Sequence, residues 1–519
     1  MTTRREKLPA LFWTLFVFAL GLAQPVASVA DEVGDKIRGY REAHAAEILS
    51  SFREFVSIPN VSADSTGISR NAVWIRDELQ ARGVTAEIWD LPGANPVVFG
   101  ELPAENATRT VVFYAHFDGQ PVDESKWTHP PFEPTLLNLD ANAGGEVIGW
   151  PEKGQRLTVA ETGEWRIYGR GTSDDRAAVM AMLAALDALQ NSGLQPTVNI
   201  KFLFDGEEEI GSPNLRRYLE THGRQLAADL WLFCDGPVHQ TRQPQLVFGV
   251  RGIVQFDLTV YGANRPLHSG HYGNWAPNPA LNLAKLLGSM KSSRGEIIID
   301  GFYDSIEPLG GRELDAIAAL PDIDDTLMAE LDLAARENPS RDYYQSLMFP
   351  SLNIRGMASA TVGDTARNIV PNEASATLDI RLVKGNEPGE MLKLVREHIE
   401  KQGYHIVFAE PSAETRKRFP KLVRFQSGGG MPAARTPIGL PLVQRVISAT
   451  GKATDEELVL VPTLGGTLPI SVITEQSSAP VVIVPIANHD NNQHAPNENI
   501  RLANLWYGVD VMARLFLMD

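Results

Sequence analysis

Histidine or acidic residues follow five apolar, strand-like segments of this 519-residue chain. Open α/β folds place their chemistry where buried strands end, so each such junction is a candidate for a functional residue. One junction alone would be weak evidence, but five that carry mainly His, Asp and Glu predict a polynuclear metal site. The segments and residues are VVFYAH (His116, Asp118), WRIYG (Asp174, Asp175), IKFLF (Glu207, Glu208, Glu209), LWLFC (Asp235) and VVIVPI (His489, His494).

These residue types suit zinc. Zn²⁺ accepts imidazole nitrogen and carboxylate oxygen, and a catalytic zinc keeps one coordination position for water. Two zinc ions about 3.5–4 Å apart need a shared carboxylate and together activate a water molecule as a nucleophile. Mn²⁺ and Co²⁺ accept the same ligands. The chain supplies an imidazole each from His116 and His494, a shared carboxylate from Asp174, and terminal carboxylates from Asp235 and Glu209.

The acidic residues also have interpretations that need no metal. Asp118 can cap a turn, Asp174 can be a helix N-cap, and residues 207–209 can form an acidic surface patch. Three adjacent carboxylates directly after a buried strand repel one another unless a cation neutralises them, which favours the metal site. Glu208, next to the ligand Glu209, is then the acid available as a general base.

The order of the elements predicts two domains. From residue 31 to 249, apolar strands alternate with helical patterns, which is typical of an α/β fold whose mostly parallel sheet has helices on both faces. Residues 250–412 instead contain alternating strands such as IVQFDLTVYG with helices between them, the pattern of an α+β, ferredoxin-like sandwich. In residues 413–519, apolar segments typical of parallel strands occur again. We therefore predict a main domain (residues 31–249 and 413–519) and an inserted domain (residues 250–412).

Composition and net charge exclude some classes of protein. A hydrophobic content of 43% and a charged content of 21% are ordinary for a folded globular chain. The net charge of -17 and the lack of a basic run argue against nucleic acid as a partner. The single cysteine, Cys234, excludes an internal disulfide and is interpreted as a small buried hydrophobe.

Residues 1–30 are predicted to be a secretory signal peptide. Arg4, Arg5 and Lys7 form a basic start, LFWTLFVFALGLA is an apolar centre, and Ser28-Val29-Ala30 fits a small-x-small cleavage site. The apolar run is shorter than the ~20 residues of a bilayer span, so an uncleaved membrane anchor is the less favoured alternative. The expectation is an exported protein, periplasmic or secreted, without stable membrane insertion after cleavage.

The motifs, taken in order, resemble a known enzyme family. HxD in YAHFDG, GRGTSDD, EEEIGS, the CDG strand end, PLHSGHYG and the late His494 follow one another as in the co-catalytic zinc peptidases. That family includes carnosinases, aminoacylases, carboxypeptidase G and succinyl-diaminopimelate desuccinylase. The resemblance covers essentially all of residues 40–519 and looks closest to the carnosinase-like dipeptidases. It implies a catalytic, zinc-binding main domain, an inserted domain that acts as a lid and dimerisation element, and a homodimer.

The resemblance also assigns metal ligands by position. His116 and Asp235 would bind one metal ion and Glu209 and His494 the other, with Asp174 bridging the two.

Two further roles in the centre follow from the resemblance. Asp118 would hydrogen-bond His116 and fix its tautomer, and Glu208 would carry a proton from the attacking water to the leaving amine. The register within the triple glutamate is taken from Gly211-Ser212, because an EE pair precedes such a turn in the family. Glu207 then has no role.

Substrate contacts are implied outside the metal centre. His268 in PLHSG matches the lid histidine that polarises the scissile carbonyl, often from the partner subunit. The chain departs from the family at IVPNEAS, where Asn372 stands in place of an arginine and Arg367 lies five residues earlier. The turn that receives a substrate carboxylate is matched by Gly465, Gly466 and Thr467.

The predicted activity is hydrolysis of an amide bond in dipeptides or short peptides by water activated at two divalent metal ions, with Glu208 as the general base. An N-acyl amino acid deacylase with the same centre is the alternative among enzymes. A non-catalytic peptide-binding protein that keeps the fold is a remote alternative, because it predicts the loss of Glu208 or of a ligand, and the full set is present.

Overall fold

The computed structural model describes residues 31–518 of the chain, and within them helices and strands alternate along most of the sequence. The helices are α1 (Glu32–Ala43), α2 (Ala45–Val56), α3 (Ser65–Ala81), α4 (Val159–Thr162), α5 (Arg176–Asn191), α6 (Leu215–His222), α7 (Ser269–Tyr272), α8 (Pro279–Gly288), α9 (Gly311–Ala319), α10 (Asp324–Glu330), α11 (Tyr343–Leu347), α12 (Pro388–Lys401), α13 (Ala413–Arg418), α14 (Pro441–Gly451), α15 (Ile470–Gln476) and α16 (Leu502–Phe516).

The strands form two large sheets and three small ones. They are β1 (Thr85–Trp89), β2 (Val97–Leu102), β3 (Thr110–His116), β4 (Thr135–Leu137), β5 (Arg166–Tyr168), β6 (Asn199–Asp205), β7 (Leu230–Phe233), β8 (Gln245–Val247), β9 (Gly249–Val250), β10 (Gly252–Tyr261), β11 (Leu267–His268), β12 (Ser351–Ala358), β13 (Ile369–Val370), β14 (Glu373–Leu382), β15 (His405–Val407), β16 (Leu422–Met431), β17 (Ala434–Arg435), β18 (Val459–Val461), β19 (Val481–Ile483) and β20 (Asn499–Arg501).

The larger sheet belongs to the main domain and has the order β1-β2-β6-β3-β7-β19-β8-β18. Its four central strands, β6, β3, β7 and β19, run parallel. Antiparallel pairs occur toward the edges, between β1 and β2, β2 and β6, and β19 and β8. The predicted α/β class is confirmed, and the parallel part of the sheet is its centre.

The central strands are apolar because helices cover both faces of the sheet. In β3, Val111, Phe113 and Ala115 join the core under helices α1, α2, α3, α5, α14 and α16. Val112 and Tyr114 point the other way, into the core under α6 and α15. Since successive side chains of a strand face opposite sides, a strand covered on both sides reads as a continuous apolar run.

The smaller sheet belongs to the inserted domain, with the order β12-β14-β10-β16-β15. Its first four strands are antiparallel, and helices α8 and α12 contribute to its separate core. Strand β16 pairs with β10 and ends at Met431, whereas the sequence predicted the end of this domain at residue 412. The run SGGG within β16 has the composition of a linker, which is why the sequence pattern ended the domain too early.

Two further expectations concern burial and membranes. Cys234 is fully buried, as interpreted from the sequence. Among residues 31–518, no helix is both long and apolar enough to cross a bilayer. The predicted signal peptide, residues 1–30, lies outside the described residues.

Candidate metal centre

Three parallel strands bring their acidic and histidine residues to one edge of the main sheet. Strand β3 ends at His116, and the neighbouring strands β6 and β7 are followed by Glu209 and Asp235. The carboxyl ends of adjacent parallel strands meet at the same edge, so these residues are close in space although they are far apart in sequence. Asp174 joins them from the segment that leads into α5.

The predicted ligands form two groups that share one residue. His116, Asp174 and Asp235 form one group, and Asp174, Glu209 and His494 form the other. Within each group, one candidate ligand atom per residue lies within 4.8 Å of the others. The structure therefore brings together all five residues that the sequence analysis selected, with Asp174 between the two groups.

Each carboxylate oxygen of Asp174 faces a different histidine. Its Oδ1 lies 2.8 Å from His116 Nε2, and its Oδ2 lies 3.1 Å from His494 Nε2. His494 Nε2 also lies 3.0 Å from Glu209 Oε2, and His116 Nε2 lies 4.0 Å from Asp235 Oδ2. The His116 side chain is fully buried, whereas that of His494 is 54% exposed, so the centre opens to solvent on the His494 side.

Asp118 holds the other nitrogen of His116. Its Oδ1 lies 3.3 Å from His116 Nδ1, and its carboxylate also accepts hydrogen bonds from Ser62 Oγ and from the backbone N–H groups of Glu208 and Glu209. A carboxylate at Nδ1 leaves Nε2 with its lone pair free for a metal ion, which is the arrangement that metal-binding histidines commonly show. Asp118 thus connects the strand end of His116 to the glutamate segment.

Glu208 lies beside the two groups rather than within them. Its Oε2 is 4.0 Å from His116 Nε2. Burial raises the pKa of Glu208 well above its usual value, and the charges of Asp235 and Asp174 raise it further against the opposing effect of His116. Glu207 faces elsewhere, where its carboxylate accepts a hydrogen bond from Asn214 Nδ2. The structure thus places Glu209 at His494 and leaves Glu207 outside the cluster.

The cluster carries an excess of negative charge that divalent cations would neutralise. Among the described residues, its three carboxylates, those of Asp174, Glu209 and Asp235, and the adjacent carboxylate of Glu208 form ion pairs with His116 and His494 and with no lysine or arginine. Burial, and then the neighbouring carboxylates, raise the pKa of Asp235 to about 7. Imidazole nitrogens and carboxylate oxygens are the ligand types of Zn²⁺, Mn²⁺ and Co²⁺, so this set of donors fits a pair of divalent cations.

The predicted contacts from the inserted domain are not in the cluster. His268 is exposed at the end of β11, where its Nδ1 accepts a hydrogen bond from Gly270 N, and Arg367 is also exposed. Within residues 31–518, neither side chain forms a hydrogen bond or an ion pair with the five clustered residues. Both lie on or next to the small β11–β13 sheet, which is separate from the main sheet.

Thr467 in the glycine-rich turn accepts a hydrogen bond from Arg381, which was not among the predicted site residues. Thr467 Oγ1 donates to the carbonyl of Arg251 and accepts from Arg381 Nη1, at 2.8 Å in both cases. Arg381 lies in β14, in the segment LDIRLV, where an arginine on an alternating strand looks like part of a solvated face. Gly465 and Gly466 precede Thr467 in the same turn, so this turn and a guanidinium lie side by side.

A solved structure shares this architecture, and curated proteins are similar in sequence. A metallo-carboxypeptidase, Sso-CP2 of Sulfolobus solfataricus, is 27% identical, with a TM-score of 0.70 over 91% of this chain and 99% of that one. The Cys-Gly metallodipeptidase dug1 of Schizosaccharomyces pombe is 26% identical, covering 92% of this chain and 96% of that enzyme. The human Beta-Ala-His dipeptidase is also 26% identical, covering 93% and 92% respectively.

These comparisons contradict one prediction, which is export through a signal peptide. The matches to Dug1 enzymes of Schizosaccharomyces pombe and Saccharomyces cerevisiae extend over 92% and 90% of this chain, and a likeness to these enzymes does not support export. A basic stretch before an apolar run is a short and unspecific pattern, which is why residues 1–30 suggested a signal peptide. The prediction of an exported protein is therefore withdrawn.

The family assignment comes from the greater part of the chain. Residues 112–518 match the description "Peptidase family M20/M25/M40". The matched range begins within β3, includes all five clustered residues, and runs through both domains. The curated relatives of similar sequence are named as metallodipeptidases and dipeptidases. The chain belongs to peptidase family M20/M25/M40 and is a metallopeptidase of the dipeptidase-like type.

Proposed function

We propose that this protein hydrolyses the peptide bond of dipeptides or short peptides with a free C-terminal carboxylate, using two divalent cations, preferably Zn²⁺. The observation that carries the proposal is the position of Asp174, whose two oxygens face His116 on one side and His494 on the other. A carboxylate shared in this way is what a co-catalytic pair of metal ions requires. The names of the Cys-Gly and Beta-Ala-His dipeptidases support a dipeptide as the substrate.

Each clustered residue has a stated role in this proposal. His116 and Asp235 would hold one cation, Glu209 and His494 would hold the other, and Asp174 would contribute to both sites. When bound, the cations lower the pKa of a water molecule and polarise the substrate carbonyl. Asp118 holds the tautomer of His116 through Nδ1.

Glu208 is the proposed proton carrier. It takes a proton from the attacking water and returns it to the nitrogen of the leaving amine. Its position supports this role, because it lies next to the cluster, is largely buried and forms no ion pair with a lysine or arginine in the described part of the chain. A raised pKa would let the carboxylate accept a proton near neutral pH.

Recognition of the substrate carboxylate is assigned to the turn of Gly465, Gly466 and Thr467 together with Arg381. The Arg381 guanidinium at Thr467 Oγ1 supplies the positive charge that Asn372 lacks and that Arg367, exposed beside another sheet, does not bring there. Guanidinium groups bind carboxylates through two parallel hydrogen bonds.

We further propose a homodimer in which His268 acts on the partner subunit. His268 is exposed and forms no contact with the cluster of its own chain among the described residues, which supports action in trans. The edge strand β12 is exposed along most of its length, with Ile354 44% and Met357 54% exposed. Edge strands offer unpaired backbone groups to another strand, so β12 is a suitable contact between two subunits.

The experiment that tests the function is a substrate panel with the Glu208→Gln variant. The protein is loaded with Zn²⁺, and release of free amino acid is measured from dipeptides and from N-acyl amino acids. We expect dipeptides to be preferred, and Glu208→Gln to lower kcat by about 10²–10⁴-fold while both cations remain bound.

Glu207→Gln is the matched control for this variant. Glu207 is the adjacent acid but lies outside the cluster, so its replacement should leave kcat within about two-fold and so also test the register of the triple glutamate. A preference for N-acyl amino acids would instead identify a deacylase. Full turnover by Glu208→Gln would refute the assigned mechanism.

A further inference from the structure

Glu498 is a buried carboxylate outside the metal-binding cluster. It lies four residues after His494, directly before β20, and is 0% exposed. It therefore touches neither solvent nor substrate. Its two oxygens accept five hydrogen bonds, from Arg170 Nη1 (2.7 Å), Gly171 N (2.9 Å), Ser173 N (3.0 Å), Ser173 Oγ (3.0 Å) and Asp174 N (3.1 Å).

These donors belong to the segment that carries the shared ligand. The backbone N–H groups of Gly171, Ser173 and Asp174 all point at the same carboxylate, and successive N–H groups converging in this way form an anion-binding concavity. Gly171 has φ +73°, in the left-handed region that allows such a turn at low cost for glycine. The conformation of residues 170–174 thus depends on the negative charge of Glu498.

The segment of His494 is tied to the same pair of residues. Asn492, His494 and Asn497 have φ values of 56°, 59° and 63°, in the left-handed region that asparagine and histidine adopt more readily than most residues other than glycine. Arg170 Nη2 donates to the carbonyl of Ala495, and the backbone carbonyl of Glu498 accepts from Gly169 N. The Arg170–Glu498 pair therefore links the two segments that carry Asp174 and His494.

We infer that Glu498 is a positioning residue that sets the distance between Asp174 and His494, and so the affinity for the cation that these residues bind with Glu209. The inference rests on the proposed function, because that function assigns the cation to these three residues. Groups that orient metal ligands in this manner commonly change metal affinity by 10- to 100-fold when they are replaced.

The test compares cation binding by the wild type and by Glu498→Gln. The variant keeps the size of the side chain but removes its charge and turns one acceptor into an N–H₂ donor that faces N–H groups. Competition with a chelator, using Zn²⁺ or Co²⁺, should show one of the two cations bound about 10- to 100-fold more weakly. The visible absorption of the Co²⁺-loaded protein should change, and kcat should fall more than KM changes.

Asp490→Asn is the matched control. Asp490 lies in the same segment and pairs with another buried arginine, Arg166, at 2.7 Å, and among residues 31–518 it forms no hydrogen bond or ion pair with Asp174 or His494. Breaking this pair should leave both cation affinities and the Co²⁺ spectrum unchanged. An effect on cation affinity equal to that of Glu498→Gln would overturn the inference, because loss of any arginine pair would then explain it.

A second, milder variant tests the inference in case Glu498→Gln does not fold. Ser173→Ala removes a single hydrogen bond to Glu498 and should weaken binding of the same cation by about five-fold. Wild-type affinity and spectrum in Glu498→Gln, or in Ser173→Ala if the first variant does not fold, would contradict the positioning role while leaving the proposed function intact. A wild-type protein that binds no divalent cation would instead remove the proposed function itself.

Discussion

If His494 is a ligand as proposed, protons and metal ions compete for the same nitrogen of its ring. Hydrogen bonds from this imidazole to Asp174 and then Glu209 raise the pKa of His494 to about 10 in the metal-free protein. At neutral pH the ring is therefore protonated, whereas a metal ligand must be a neutral imidazole. Asp235, with a pKa raised to about 7 mainly by burial, is also partly protonated there. Binding of cations must displace these protons.

We expect cation affinity to rise with pH for this reason. Between about pH 6 and pH 9, the proton on His494 becomes progressively easier to remove, so the apparent dissociation constant should fall as pH rises toward 10. Calorimetry at pH 7 in buffers of different ionisation enthalpy should show release of about one proton or more per protein. Proton uptake, or affinity that falls with rising pH, would contradict the assignment of His494 as a ligand.

At the residue scale, much of the cluster was predictable. The five selected residues lie together because each follows an apolar strand or precedes a buried helix, and both signals are local in the sequence. Their role as metal ligands stays a prediction until the cations are measured. Arg381 was not predictable in this way, since no local pattern distinguishes an arginine that faces Thr467 from one that faces water.

At the scale of the elements, β14 and the glycine-rich turn connect the smaller sheet to the main sheet. β14 belongs to the sheet of the inserted domain, whereas the turn of Gly465 to Thr467 follows β18 of the main sheet. The hydrogen bond from Arg381 to Thr467 therefore joins the two domains where the substrate carboxylate is expected. An arginine in this position can bind substrate only while the domains keep this arrangement.

The Arg381→Met variant tests whether β14 contributes to binding of the substrate carboxylate. It removes the charge but keeps an unbranched side chain, so KM for a dipeptide should rise by about 10- to 100-fold with a smaller change in kcat. A dipeptide amide, which has no carboxylate, should be hydrolysed equally by the variant and the wild type. Arg396→Met is the control, because Arg396 lies on α12 and stacks over the ring of Phe425 instead. Equal losses for both substrates would contradict carboxylate binding.

At the scale of the whole molecule, the described residues form separate hydrophobic cores, which supports the predicted division into a main and an inserted domain. The main domain has a core on each face of its sheet, and the inserted domain has its own core beneath α8 and α12. Strand β12 at the edge of the smaller sheet carries the exposed side chains Ile354 and Met357. Exposed apolar residues on an edge strand favour association, which makes this edge the proposed dimer contact.

A charged substitution on this edge should separate the subunits. Met357→Arg places a charge on the proposed contact, so light scattering should report half the mass of the wild type. If His268 acts in trans, kcat should fall with dissociation while the bound cations are retained. Val147→Asp, at a residue that is 60% exposed and pairs with Leu137 of a different sheet, should leave the mass unchanged. A wild type that is already monomeric would exclude the proposed contact.

The sequence by itself determined the α/β class and the selection of the clustered residues, because periodic apolar patterns and strand ends are local properties. Only the tertiary structure decided that β16 belongs to the inserted sheet, that Arg381 reaches Thr467, and that Glu498 supports Asp174. The last contact joins residues 324 positions apart in the chain. Hydrogen bonds over such distances depend on how the strands are ordered and packed, and no local pattern of residue types contains that information.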